Sequence, residues 1–269
     1  MKRFFYNSVK IVKRESLFAI SVLGVLSLIT LIIVGIIGGV RYENLSKEKN
    51  TIYNGYVEPN NLGDIIEIVQ ASTVTVSCED DLGSGWSVDL GASDISTWSE
   101  EEIKEAEKNP TNIITNHHVI ENCIDSTRKL TVTNDGEEKD AIIWSYDEVS
   151  DLAQLITSLE VPPLYSSIAA PAPGFWVMAV GSPHGLEGSV TFGHVINVDG
   201  TTVYSTASLN PGNSGGPLVD NEGNIVGTNT SVLLTGGNFS QSIALDAACK
   251  EMFDCPDDPN FWYSELTDD

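Results

Sequence analysis

The string Asn210-Pro211-Gly212-Asn213-Ser214-Gly215-Gly216-Pro217 decides how this chain is read. Three glycines surround one serine, so the backbone there can reach conformations closed to other residues and approach a bound molecule closely. Such a loop suits a nucleophile beside N–H groups that stabilise a developing oxyanion. A serine hydroxyl attacks well only when an imidazole takes its proton, and the imidazole needs a carboxylate to fix its tautomer. The four histidines, His117, His118, His184 and His194, all precede Ser214. Gly212-Asn213-Ser214-Gly215-Gly216 also fits the Gly-x-Ser-x-Gly elbow of lipase-like hydrolases, whose histidine follows the serine, and that reading fails on the order alone.

Working outward, Thr115-Asn116-His117-His118-Val119 and Asp151-Leu152-Ala153 precede the serine loop in the order His, Asp, Ser. These strings resemble the Thr-Asn-x-His-Val, Asp-Leu-Ala and nucleophile-loop motifs of trypsin-like serine peptidases of the Deg/HtrA type. Gly83-Ser84-Gly85-Trp86 is similar to that family's Gly-Ser-Gly-aromatic segment. Val180-Gly181-Ser182-Pro183-His184-Gly185-Leu186 lies where the family has a Gly-Asn-Pro-Phe-Gly-like loop, and the likeness runs over residues 65–246. The resemblance implies His118 as general base, Asp151 as its orienting partner and Ser214 as nucleophile, with the backbone N–H groups of Gly212 and Ser214 as oxyanion hole. The spacing to Val119 selects His118 over His117, which is read as a bystander pointing to the other face of a strand. Asp147 is a second carboxylate near Asp151, and the motif decides between them. Gln154 departs from the family's Val or Leu. By the same resemblance, a primary pocket is lined by Ser208, Leu209 and Asn210 and by the strand holding Gly227 and Thr228. Neither segment carries a carboxylate, which argues against pairing a lysine or arginine side chain and for small or medium apolar residues.

The implied fold is all-β, a chymotrypsin-like double six-stranded β-barrel, and the local pattern agrees. Short β-type runs recur at 73–78, 85–88, 112–115, 130–133, 141–144, 175–180, 190–195, 202–205 and 224–232, parted by turns such as Asn134-Asp135-Gly136 and Asp199-Gly200. Asp151 heads a further apolar run, Leu152 to Ile156. Ser99 followed by Glu102 predicts a capped surface helix over 99–108, and 242–253 reads as a short C-terminal helix. Residues 62–255 would form the peptidase domain and 256–269 an acidic tail.

With 41% hydrophobic and 19% charged residues the chain has the composition of a folded protein. Six of its 14 basic residues fall within the first 41 positions against the single acid Glu15, leaving 8 basic and 37 acidic residues beyond. So acidic a surface repels nucleic acid and anionic lipid. Residues 1–16 form a basic segment, and Leu17–Val40 is an uncharged apolar stretch of 24 residues, long enough as a helix to cross a hydrocarbon core of about 30 Å. The preceding basic residues place the N-terminus in the cytoplasm and the rest of the chain outside, as a signal anchor with a polar stalk over 41–61. Cys78, Cys123, Cys249 and Cys255 all fall on that outer side, where disulfides persist, and their spacing does not suit zinc. The resemblance brings Cys78 and Cys123 together, leaving Cys249 with Cys255. No metal and no cofactor are expected, the partners expected are protein or peptide substrates, and the short stretch after residue 246 does not accommodate the peptide-binding PDZ domain that Deg/HtrA proteins commonly carry. The rival reading is a non-catalytic binding protein on the same fold, which would need none of the contacts among Ser214, His118 and Asp151.

Overall fold

Threonine and valine alternate through Thr73-Val74-Thr75-Val76, and β-branched side chains with period two fold as a strand with one face inward. In the computed structural model, which describes residues 55–90, 98–165, 171–233 and 239–245, this strand is β1 (Thr73–Cys78), with Val74, Val76 and Cys78 buried. It joins β2 (Asp81–Val88), β3 (Thr111–Thr115), β4 (Leu130–Asn134), β5 (Glu137–Asp147) and β6 (Leu152–Thr157) in a closed antiparallel barrel of order β1-β2-β3-β6-β5-β4. A second closed barrel holds β7 (Trp176–Gly181), β8 (Ser189–Asp199), β9 (Thr202–Ser205), β10 (Pro217–Val219), β11 (Ile225–Leu233) and β12 (Phe239–Ala244). Its order, β7-β8-β9-β12-β11-β10, repeats that of the first, although the two halves share no evident sequence repeat. Closure leaves no free sheet edge.

Each barrel has its own core, Val74, Val76, Ile113, Val132 and Leu155 in the first and Val177, Val195, Val203, Leu218 and Val226 in the second. A third cluster lies between them. It takes Trp86, Ile114 and Leu152 from barrel one and Trp176, Met178, Val180, Val219 and Ile225 from barrel two. Trp86 is 1% exposed, and its indole N–H crosses to the Thr228 hydroxyl at 3.1 Å, satisfying the one polar group of that side chain. Helix α1 (Leu62–Ala71) closes this seam with Ile65 and Val69. Leu62, Ile65, Ile66 and Val69 follow helical i, i+3, i+4, i+7 spacing, so its signal is present in the sequence although the strand-based reading passes over it.

Helix α2 (Glu100–Lys108) has the expected cap, with the Ser99 hydroxyl accepting from the Glu102 N–H at 3.2 Å and the Glu102 carboxylate accepting from the Ser99 N–H at 2.6 Å. At the other end, Ser242–Ala244 belong to β12 rather than to a helix, because pairing with β9 and β11 satisfies their backbone. The rest of that expected helix lies outside the described residues. The end of the expected stalk is part of the folded body: the Trp176 N–H donates to the Gly55 carbonyl at 2.8 Å, Asn221 Nδ2 to the Val57 carbonyl at 3.0 Å, and Tyr56 stands edge-on to Phe175 with ring centroids 4.5 Å apart. Among the described residues no helix is long and apolar enough to cross a membrane. Residues 17–40, Cys249 and Cys255 lie outside them. Cys78 and Cys123 form a disulfide.

Candidate active site

β3 ends at Thr115, and the chain turns directly into the short helix α3 (His117–Ile120). Val119 and Ile120 are buried in barrel one, and a following single turn carries Cys123 to its disulfide, so the histidine pair is held from both sides. Helical rotation, not strand alternation, parts the two rings. His117 lies over Tyr146 with centroids 5.3 Å apart, while His118 turns to Asp151.

Asp151 stands just before β6 in a left-handed conformation, φ 54°, which aspartate tolerates better than most residues. Its position is over-determined. The Asn116 amide holds its carbonyl at 2.8 Å, and its Oδ1 accepts the backbone N–H of His118 at 3.0 Å. Its Oδ2 lies 2.8 Å from His118 Nδ1 and accepts the Thr230 hydroxyl at 2.8 Å. A carboxylate can only accept, so Nδ1 carries the hydrogen and the neutral ring leaves Nε2 free to take a proton. The hydrogen bond to Asp151 raises the His118 pKa, with the Asp151 charge adding to it against partial burial. Burial pushes the Asp151 carboxyl up, but the hydrogen bonds and charge of His118, with the Thr230 hydroxyl, outweigh it and hold the group below its usual value. Asp147 instead accepts the Ser150 N–H at 2.7 Å and closes its own turn.

Barrel two supplies the serine loop between β9 and β10. The Gly215 N–H donates to the Asn229 carbonyl and the Asn229 N–H to the Gly216 carbonyl, both at 2.8 Å, while the Ser214 carbonyl accepts the Ser84 N–H at 2.7 Å. Gly215 has φ 86°, and a Cβ there would sit 2.1 Å from the Ser84 carbonyl oxygen, so only glycine fits where the loop meets β2. The Ser214 hydroxyl donates to the Thr230 carbonyl at 2.9 Å, and among the described residues no hydrogen bond joins it to His118.

The peptide ahead of Gly212 is also fixed. The Pro211 carbonyl accepts the His184 N–H at 3.1 Å, and in a trans peptide the Gly212 N–H points the opposite way. The Ser84 hydroxyl holds the Gly212 carbonyl at 2.6 Å. The N–H groups of Gly212 and Ser214 have no partner among the described residues.

Of the expected pocket residues, Leu209, Gly227 and Thr228 are buried, and Ser208 and Asn210 are exposed. Thr228 is 2% exposed and bonded to Trp86, and a Cβ on Gly227 would meet the Ile243 carbonyl oxygen at 2.6 Å. Leu209 packs into the barrel-two core, Asn210 holds the turn by accepting the Asn213 N–H at 3.0 Å, and the Ser208 carbonyl accepts the Thr191 hydroxyl at 2.9 Å. The residue of β11 that reaches the site is Thr230, at a bulge between Asn229 and Ser231 that re-aims it. Thr230 escapes a reading by motifs, and although Ser84 and His184 lie in segments that the motifs pick out, their hydrogen bonds to the serine loop join distant segments and are not legible there. Gln154, the departure in the Asp-Leu-Ala segment, is buried and satisfied, donating to Asn112 Oδ1 at 2.9 Å and accepting the Ser145 hydroxyl at 3.1 Å. Among the described residues no group of three or more His, Cys, Asp or Glu could hold a metal ion.

Paired antiparallel barrels with a His–Asp pair on one and a glycine-framed serine on the other define a chymotrypsin-like architecture. Residues 108–227 match the model of the trypsin-like peptidase domain family, and the chain is similar to proteins named as DegP-like serine endoproteases. It is 35% identical over 140 residues to a probable periplasmic serine endoprotease DegP-like of Chlamydia pneumoniae, a match covering 47% of this chain and 28% of that one. To the putative serine protease HhoA of Synechocystis it is 33% identical over 154 residues, covering 51% and 38%. The match thus spans well under half the length of these relatives. Among solved structures, a serine endoprotease from Yersinia pestis is similar with TM-score 0.58 and 27% identity over 72% of this chain and 66% of that one.

Proposed function

We propose that this chain is a serine endopeptidase in which Ser214 is the nucleophile, His118 the general base and Asp151 its orienting partner. The observation that carries the reading is the His118–Asp151 contact at 2.8 Å, with Nδ1 as donor, beside a serine loop in which the N–H groups of Gly212 and Ser214 have no partner among the described residues. Ser214 turns from the Thr230 carbonyl to His118 Nε2, gives up its proton and attacks the peptide carbonyl. The oxyanion of the tetrahedral intermediate takes the N–H groups of Gly212 and Ser214. His118, stabilised as imidazolium by Asp151, returns the proton to the leaving amine as the C–N bond breaks, and water releases the acyl group by the same route. Thr206–Gly216 and Ile225–Leu233 contain no carboxylate, which favours an apolar over a basic residue on the acyl side of the cut.

The peptidase domain acts outside the cytoplasm, tethered by residues 17–40. The Cys78–Cys123 disulfide suits an oxidising compartment, the Chlamydia relative is named periplasmic, and the apolar stretch has its basic residues on the N-terminal side. The test is digestion of an unfolded protein by the full chain in detergent, beside Ser214→Ala. Cleavage by the wild type that vanishes in the variant supports the reading; equal cleavage by both removes Ser214 from the chemistry.

A further inference from the structure

Ser84 belongs to barrel one, on β2, yet its contacts converge on the serine loop of barrel two. The residue is fully buried. Its N–H donates to the Ser214 carbonyl at 2.7 Å, and its hydroxyl donates to the Gly212 carbonyl at 2.6 Å, so it grips the loop on both sides of Asn213. The same hydroxyl accepts the Ser182 N–H at 2.9 Å, just after β7. Its carbonyl accepts the Thr115 hydroxyl at 2.7 Å, from the end of the strand that leads to His118.

Space for that hydroxyl is kept by glycines. A Cβ on Gly181 would lie 2.8 Å from Ser84 Oγ, and one on Gly216 would lie 3.1 Å from Ser84 Cβ. Because the hydroxyl donates and accepts at once, removing it leaves the Gly212 carbonyl and the Ser182 N–H, both in buried residues, without these partners. Gly212, at φ 102°, has no side chain to hold it in place. The direction of its N–H therefore depends on the two peptides that flank its Cα. One is tied through the Pro211 carbonyl to the His184 N–H, the other through the Gly212 carbonyl to the Ser84 hydroxyl.

Resting on the peptidase reading, we infer that Ser84 is a positioning residue for the oxyanion hole: it fixes the Gly212 and Ser214 carbonyls from the opposite barrel and so aims the N–H groups between them. The Thr115 hydroxyl holds Ser84 in turn, which links the strand carrying the general base to the loop carrying the hole. Ser84 touches no reacting atom and acts through the backbone it holds. Donors of the hole strengthen their bonds only as the oxyanion forms, so a mis-aimed hole lowers kcat and leaves KM nearly unchanged.

The test compares the full chain in detergent with Ser84→Ala, Thr115→Val and the double variant on fluorescein-labelled casein. Rates are expressed per reactive serine, counted by fluorophosphonate labelling taken to completion. A residue that only stabilised the fold would lower the melting temperature and the number of reactive serines, while the rate at each one stayed the same. Ser84→Ala should instead lose about 10- to 100-fold in kcat per site with KM held within about twofold, short of the 10²- to 10³-fold that follows outright loss of a hole donor. Thr115→Val should lose roughly threefold, and the double variant less than the product of the two, because both act through one residue. A Ser84→Ala enzyme with kcat per site within about twofold of the wild type, or with its loss confined to KM, overturns the role. If Ser84→Ala does not fold, Thr115→Val decides alone, and an unchanged kcat per site there overturns it. A folded wild type that takes no label overturns the peptidase reading itself.

Discussion

Barrel one brings side chains to the site, and barrel two brings mostly backbone. His118 and Asp151 meet directly, in a region braced by the Cys78–Cys123 disulfide. Around Ser214 lie the N–H groups of Gly212 and Ser214, without a partner among the described residues, the Thr230 carbonyl and glycines at φ 102° and 86°. Strand order is the same in both, so the contrast comes from the loops. Side-chain chemistry tolerates small shifts of the frame, because a ring and a carboxylate can re-aim. Backbone groups cannot, and their orientation depends on distant partners such as Ser84 and the His184 N–H.

Substitutions can break this contrast at graded cost. Asp151→Asn should have the largest effect, about 10⁴-fold in kcat, because an amide no longer imposes the Nδ1–H tautomer. The linked pH profile gives the sign. Only neutral His118 accepts a proton, and its pKa is raised, so wild-type kcat/KM should fall as pH drops through a midpoint above the ordinary histidine value of about 6.5. Residual activity in Asp151→Asn should have that midpoint moved down.

Gly212→Ala tests the backbone side. Its Cβ would lie 2.5 Å from the Ser182 carbonyl oxygen at φ 102°, so the peptide must shift and the hole lose a donor. The expected loss is about 10²- to 10³-fold in kcat with the fold intact by circular dichroism. An active alanine variant would mean that the hole is not built there.

Replacing both Cys78 and Cys123 by Ser should lower unfolding stability by about 2–4 kcal/mol in urea titrations, while the folded fraction remains reactive at Ser214. Barrel one braces the histidine through chain entropy, so stability should suffer more than chemistry. Thr230→Val is the mildest. It removes the hydroxyl on Asp151 Oδ2 but keeps the carbonyl that holds Ser214, and about a tenfold drop in kcat/KM is expected, with the acid limb displaced.

The same contrast explains what the sequence disclosed. Val74 and Val76 in β1, the Ser99–Glu102 capping box and the strings around His118, Asp151 and Ser214 are local, and local patterns can be read from one chain. Barrel closure and the Trp86–Thr228 bond join residues far apart, as does the Thr230–Asp151 bond. Thr228 and Thr230 differ only by a bulge in β11, and no composition rule says which one reaches the site. Likewise Ser242 to Ala244 have no strong strand signal, and their place in β12 comes from pairing partners.

The most direct test of an activated serine assembled across the two barrels is fluorophosphonate labelling of the full chain in detergent, wild type against Ser214→Ala, at pH 8. The account predicts a stoichiometric label on the wild type, mapped to Ser214 by mass spectrometry, and none on the variant. A folded wild type that stays unlabelled, or a variant that labels equally well, would contradict it.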